Sequence, residues 1–160
     1  MNTKRILFVC TGNSCRSVMA QEYMRQMLTR AGIERVQVES AGVFAISGMS
    51  PTKETLRVLQ ENGIVCSDHR ARLLTPSMIQ EADLVFVMEQ FQMDEVLRRD
   101  PSSKGKIHLL KTYSLSPTDA PANANIADPI GKPMEIYEVC FADIREAVAR
   151  VAKSLGVHTA

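Results

Sequence analysis

Read for its apolar and polar positions, the chain alternates short continuous apolar runs with longer stretches in which apolar residues return every three or four places. Continuous runs suit strands buried on both faces, and the longer period suits helices with one face turned inward. "RILFVC" predicts the first strand, and the segment from Ser17 to about Ala31 predicts an amphipathic helix that Gly32 stops. "RVQVES" alternates and predicts a second strand. "SPTKETLRVLQENG" predicts a helix with Ser50 as N-cap, Pro51 at its first position and Gly63 at its close. "TPSMIQEA" repeats that signal with Thr75 and Pro76. "DLVFVM" predicts a third strand, "QFQMDEVLRR" a short helix and "KIHLL" a fourth strand. Pro133 to Gly156 predicts a long final helix, with Ile136, Cys140, Ile144, Val148 and Val151 as its inward stripe.

Strands alternating with helices imply an α/β fold: a single domain over residues 1–160, built on an open doubly wound parallel sheet of about four strands with helices on both faces. Ligands of such sheets bind beyond the carboxyl ends of the strands, and the turn after the first strand is "CTGNSCRS". One long stretch lacks any period, from about Ser114 to Lys132, with Pro117, Pro121 and Pro129 along it. Irregular segments of that length in a compact domain usually carry function.

Composition narrows the partners. The 160 residues suit one domain, and 19 Lys plus Arg against 18 Asp plus Glu leave +1 with no block of like charge, which argues against a nucleic-acid or membrane-surface partner. No apolar run approaches a membrane span and the start is too short for a signal peptide, so a cytoplasmic protein is expected. Cys10, Cys15, Cys66 and Cys140 form no C-x-x-C pair and have no histidine at ligand spacing, so neither a metal nor another cofactor is expected. Cys66 and Cys140 read as small buried hydrophobes.

The first turn carries the chemistry. A loop that leaves a strand and enters a helix gathers backbone N–H groups at one spot, where the helix N-terminus adds positive potential. The glycine and lysine pattern of a nucleotide-binding loop is missing, and Arg16 instead supplies a fixed cation whose planar fork suits two oxygens of a tetrahedral oxyanion. Cys10 stands at the mouth of this cradle, where the N–H dipoles, Arg16 and the Ser17 hydroxyl favour thiolate over thiol. A thiolate inside an oxyanion cradle is set for in-line attack on phosphorus. The expelled group then needs an acid, and Asp128, in "IADPIGK" of the long loop, is the carboxylate able to reach over the mouth.

"VCTGNSCRSVMAQ", "SAGVFA", "DHRARLL", "ADLVFVM" and "ADPIGK" together resemble the low-molecular-weight protein tyrosine phosphatase family, in order and over almost the whole chain. The resemblance implies that phosphorylated proteins are the substrates. It implies Cys10 as nucleophile, Arg16 as the phosphoryl-binding cation, and Asp128 as the acid that later activates water. It also implies that Thr11, Gly12, Asn13, Ser14 and Cys15 supply loop N–H groups, and that Asn13, Ser17, Ser40 and His69 form the network holding the loop in shape. Cys15 matches the second cysteine, able to close a reversible disulfide onto Cys10. His108 and His158 match nothing catalytic.

The chain departs from the family at Val18, where proline is frequent, and at Glu89, where Asp or Thr is usual; neither is expected to touch the chemistry. Ile130 stands where tyrosine-specific members carry an aromatic residue, so phosphotyrosine loses a stacking partner. Thr11 adds a branched wall to the pocket, and "CTGN", "SAGVFA" and "DPIG" are similar to the bacterial protein arginine phosphatases, which place phenylalanine where Ile130 is. Thr11 and Ile130 are thus the candidate specificity positions, with phosphoarginine and phosphotyrosine both open. Two other classes share the cradle. An arsenate reductase of the same fold needs a relay of cysteines, for which Cys66 and Cys140 are far apart, and a non-catalytic phosphoprotein-binding module would not need Cys10 and Asp128.

Overall fold

The computed structural model describes residues 3–158, and every predicted element is there. The strands are β1 (Lys4–Cys10), β2 (Val36–Gly42), β3 (Leu84–Val87) and β4 (Ile107–Leu109). The helices are α1 (Arg16–Arg30), α2 (Lys53–Glu61), α3 (Pro76–Glu81), α4 (Gln90–Arg99) and α5 (Met134–Ser154). The four strands form one parallel sheet in the order β2-β1-β3-β4. Its register sets Cys10 beside Gly42 at the carboxyl edge.

Alternation along β1 sends its side chains to two separate cores. Ile6, Phe8 and Cys10 join Phe86 under α1, α2 and α5, while Leu7 and Val9 join Val85 and Val87 against Ile79 of α3 and Val96 of α4. Both faces of the sheet are therefore covered, as a near-continuous apolar strand requires. Burying each such side chain contributes about 1.5–3 kcal/mol, and the central strands are thereby held rigidly enough to carry a loop at their ends. Among the described residues, no helix is long and apolar enough to cross a membrane.

Three local expectations need correction. α2 starts later than Ser50 and Pro51 suggest: Thr52 is its N-cap, accepting from the Thr55 N–H at 3.2 Å, and Ser50 is an exposed loop residue. On α5, Ile136 is 45% exposed and the fully buried Tyr137 takes its place on the inward face, because the helix rotates to bury the larger side chain. Cys66 is only half-buried and lies beside Glu22 at 3.6 Å, whereas Cys140 is buried. Burial, with Glu22 alongside, pushes the Cys66 thiol up to about 11. The other helix signals stand, with Thr75 accepting from the Met78 N–H over α3 and Gly32 taking φ +67° after α1.

Candidate active site

β1 ends at Cys10 and α1 begins at Arg16, so five residues make the turn between them. The N–H groups of Gly12, Asn13, Ser14 and Cys15 have no protein acceptor among the described residues, and together they form a donor nest suited to an oxyanion. The turn is sewn to the residues just after β2: Val43 N–H donates to Cys10 C=O and Phe44 N–H to Thr11 C=O, both at 3.0 Å. This close approach explains Gly42. A Cβ there would lie 2.5 Å from the Thr11 carbonyl oxygen and 2.9 Å from the Asn13 nitrogen.

Asn13 holds the turn's shape. It is fully buried and its φ of +54° is a left-handed conformation that asparagine tolerates better than most residues. Its side-chain amide donates to Ser17 Oγ at 2.7 Å and Ser40 Oγ at 2.9 Å, and its Oδ1 accepts from the Arg72 backbone N–H at 3.0 Å. Ser40 passes its own proton to Gln21 Oε1 at 2.7 Å. Gln21 Nε2 lies 3.3 Å from His69 Nδ1, and His69 Nε2 lies 3.0 Å from the Asn13 carbonyl oxygen. A carbonyl can only accept, so His69 carries its proton on Nε2 and takes the Gln21 proton on Nδ1. The circuit thus runs from the Asn13 side chain through Ser40, Gln21 and His69 back to the Asn13 backbone. Burial lowers the His69 pKa from its ordinary value against the opposing pull of the Asn13 carbonyl, which agrees with a neutral ring.

Ser17 links this network to the sulfur. Its oxygen already accepts from Asn13, so its proton is directed to Cys10 Sγ, 3.0 Å away. Cys10 is 2% exposed at the base of the nest. Cys15, also buried, has its Sγ 3.5 Å from Thr52 Oγ1 and 3.7 Å from Tyr137 OH. Burial pushes the Tyr137 hydroxyl up to about 12, so it stays a neutral hydrogen-bonding group.

Arg16 is a guanidinium with only 1% exposure, and a buried charge needs partners. Nη1 donates to the Ile126 carbonyl at 2.7 Å and to the Glu89 carboxylate, while Nη2 lies 3.5 Å from Thr11 Oγ1 and 3.6 Å from Asp128 Oδ2. Burial lowers the Arg16 pKa, but Cys10, the bond to Glu89 and the charge of Asp128 outweigh it and leave the guanidinium above its ordinary value. Ile126 also ties the long loop to the sheet, its N–H donating to the Met88 carbonyl at 2.9 Å. Two residues on, Asp128 Oδ1 accepts from the Ile130 N–H at 3.0 Å, and Ile130 itself is 54% exposed.

The residues singled out in the sequence therefore meet at one place: Cys10, Thr11, Asn13, Ser17 and Arg16 in the turn, Ser40 and His69 behind it, and Asp128 over Arg16. Glu89 corrects an expectation, for it pairs directly with Arg16. Gln21, Arg72 and Gln92 were not singled out at all, yet Gln92 is fully buried and donates to Thr11 Oγ1 at 3.1 Å. The sequence offered one sign of Gln92, a glutamine three residues after Glu89 at a helix start, as in a capping box. His108 joins Phe86 and Tyr113 in a tilted aromatic cluster, away from these groups. Among the described residues no cluster of three or more His, Cys, Asp or Glu side chains is set to hold a metal ion.

Residues 5–159 match the family described as low molecular weight phosphotyrosine protein phosphatase. The protein-arginine-phosphatase of Geobacillus stearothermophilus is 38% identical over 151 residues, spanning 94% of this chain and 95% of that protein. A probable low molecular weight protein-tyrosine-phosphatase, EpsP of Ralstonia solanacearum, is 38% identical over 145 residues, spanning 91% of each. The solved structure of the YwlE arginine phosphatase from Geobacillus stearothermophilus superposes with a TM-score of 0.83 at 35% identity, covering 96% of this chain and 93% of that one.

Proposed function

Because the chain belongs to the low-molecular-weight phosphotyrosine protein phosphatase family and is a cysteine-dependent protein phosphatase, we propose that Cys10 is its nucleophile, Arg16 its phosphoryl clamp and Asp128 its acid, with phosphoarginine side chains as the favoured substrate. The nest of unpartnered N–H groups and Arg16 hold three phosphoryl oxygens while Cys10 Sγ attacks from below. The S–P bond forms as the P–N or P–O bond to the leaving group breaks, and the Asp128 proton goes to the departing atom. Asp128 then takes a proton from water, whose oxygen attacks phosphorus, releasing inorganic phosphate and restoring the thiolate. Charge on the equatorial oxygens stays matched throughout, since the donors are fixed before substrate arrives.

One observation carries the choice of substrate: Gln92 fixes the Thr11 hydroxyl on the wall of the cradle, which suits a slim guanidinium better than a phenyl ring. Ile130, exposed and aliphatic, denies a phenyl leaving group a stacking partner worth roughly 0.5–1.5 kcal/mol, but it departs from the arginine phosphatases as well and does not itself favour phosphoarginine. A guanidinium depends on hydrogen bonds to a carboxylate instead, and Asp128 offers one. The arginine phosphatase of Geobacillus stearothermophilus supports this reading. Phosphotyrosine is the second reading, favoured by the equal identity of the EpsP relative. Side-by-side hydrolysis of a phosphoarginine and a phosphotyrosine peptide is the test: a larger kcat/KM for phosphotyrosine overturns the substrate, and turnover by Cys10→Ser overturns the nucleophile.

A thiol nucleophile works where thiols stay reduced, which supports a cytoplasmic place of action. Oxidation would silence it: peroxide converts Cys10 to a sulfenic acid, the Cys15 thiol displaces water from it, and the resulting disulfide is reopened by added thiol.

A further inference from the structure

Arg16 sits between two carboxylates that compete for it. Nη1 is bound by Glu89 and the Ile126 carbonyl, whereas Nη2 makes only a loose ion pair with Asp128 Oδ2, 3.6 Å away and beyond hydrogen-bond range. Asp128 Oδ1 is already occupied by the Ile130 N–H, so Oδ2 is the oxygen left to carry a proton, and it is the one facing Arg16. The side chains of Glu89 and Asp128 are 23% and 39% exposed against 2% for Arg16, so the guanidinium is the buried member that both would otherwise close upon. The other titratable groups facing this cluster are Cys10 from β1 and Cys140 from α5. None of these is a hydrogen-bonding partner of Arg16.

We infer that Glu89 is a positioning residue that, by holding the Nη1 edge of Arg16, prevents the guanidinium from closing onto Asp128 and leaves that carboxyl free to protonate the leaving group. The backbone from which Glu89 reaches is itself fixed. Gln92 Oε1 accepts from the Met88 and Glu89 N–H groups at 2.8 and 3.0 Å, and its Nε2 holds Thr11. The first turn of α4 therefore grips both walls of the cradle, and only the Glu89 contact bears on the acid. If it is lost, Arg16 tightens its loose ion pair with Asp128 into a hydrogen-bonded one, and the carboxyl is held away from the leaving group.

This inference rests on Asp128 being the acid, and the test separates the two. kcat/KM is measured with phenyl phosphate, whose basic leaving group needs a proton, and with p-nitrophenyl phosphate, whose leaving group needs little. The proteins are wild type, Glu89→Gln, Asp128→Asn and the double variant. Glu89→Gln should lower kcat/KM for phenyl phosphate about tenfold more than for p-nitrophenyl phosphate, a part of the ~10²- to 10⁴-fold worth of a positioned acid. Added to Asp128→Asn it should cost nothing further. Equal losses on both substrates, no loss, or a full loss in the double variant would overturn the role of Glu89. If Asp128→Asn is itself insensitive to the leaving group, the acid assignment falls and this inference with it. Glu89→Thr, which suits a helix N-cap but is too short to reach Arg16, should behave like Glu89→Gln; a Thr variant that retains wild-type leaving-group dependence overturns the inference even if Glu89→Gln does not fold.

Discussion

Replacing Asn13 by alanine removes three hydrogen bonds at once: buried ones to Ser17 and to Ser40, and a part-buried one from the Arg72 N–H. Each contributes about 1 kcal/mol net, and the abandoned Arg72 N–H adds a desolvation cost of similar size. Alanine must also hold φ near +54°, at about 1 kcal/mol. Asn13→Ala should therefore lose roughly 4–5 kcal/mol of unfolding stability, a large share of the ~5–15 kcal/mol of an ordinary domain. Glycine separates the two contributions. Asn13→Gly loses the same bonds but accepts the left-handed conformation, so it should be about 1 kcal/mol more stable than Asn13→Ala. Urea unfolding followed by circular dichroism reads both numbers, and the phosphate concentration needed to raise Tm reads the cradle separately. A loss below about 1 kcal/mol for Asn13→Ala, or glycine proving worse than alanine, would refute the view that this side chain holds the turn.

The remaining expectations can be checked with the same preparations. Stability should fall as pH drops below about 6.5, because the unfolded chain binds the His69 and His108 protons at that ordinary value while burial keeps both rings neutral to lower pH in the fold. The fall should end once the folded rings titrate, and His69→Gln should flatten the slope of urea midpoint against pH between about 5.5 and 7.5. Proton access to His69 is direct, since it lines a cavity of about 420 Å³ with Gln21 and Arg72. Gly42→Ala should cut kcat/KM by about 10²-fold or more, since its methyl would displace Thr11 and Asn13 backbone atoms; near-normal kinetics would mean that the strand gives way instead. Peroxide-treated wild type should regain activity with dithiothreitol, and Cys15→Ser should not; equal recovery would exclude Cys15 as the resolving thiol.

Local rules carried the sequence reading where neighbours in the chain decide the outcome. "RILFVC" and "DLVFVM" are apolar throughout because both faces of β1 and β3 are covered, and Thr75 before Pro76 caps α3 as such a pair should. Cys10, Arg16 and Asp128 stood out because their residue types are unusual in a βα turn and a proline-rich loop, and the structure brings Asp128 beside Arg16. Ser50 misled because two hydroxyl residues flank Pro51 and only tertiary contact favours Thr52, which also donates its N–H to the Ser14 carbonyl at 3.2 Å. Ile136 misled because a stripe is shared with its neighbour Tyr137, and volume settles which side chain turns inward. Gln21 and Arg72 left no period or spacing to find: each matters through polar atoms meeting partners from other elements, as when the Arg72 N–H meets Asn13 Oδ1, and the capping-box spacing of Glu89 does not announce its contact with Arg16.

The struts of the cradle span 27 residues from Asn13 to Ser40, 59 from Arg72 to Asn13, 73 from Arg16 to Glu89 and 110 from Arg16 to Ile126. Closing loops of that length costs chain entropy that only the completed sheet and helices repay. On the proposed roles of Cys10 and Arg16, a nascent chain that has already extruded both is expected to stay inert until the segment near Ile126 has been synthesised and threaded beside β3. Catalytic competence is thus a late event in the life of each molecule, and during refolding from denaturant the return of activity should trail the return of helical signal.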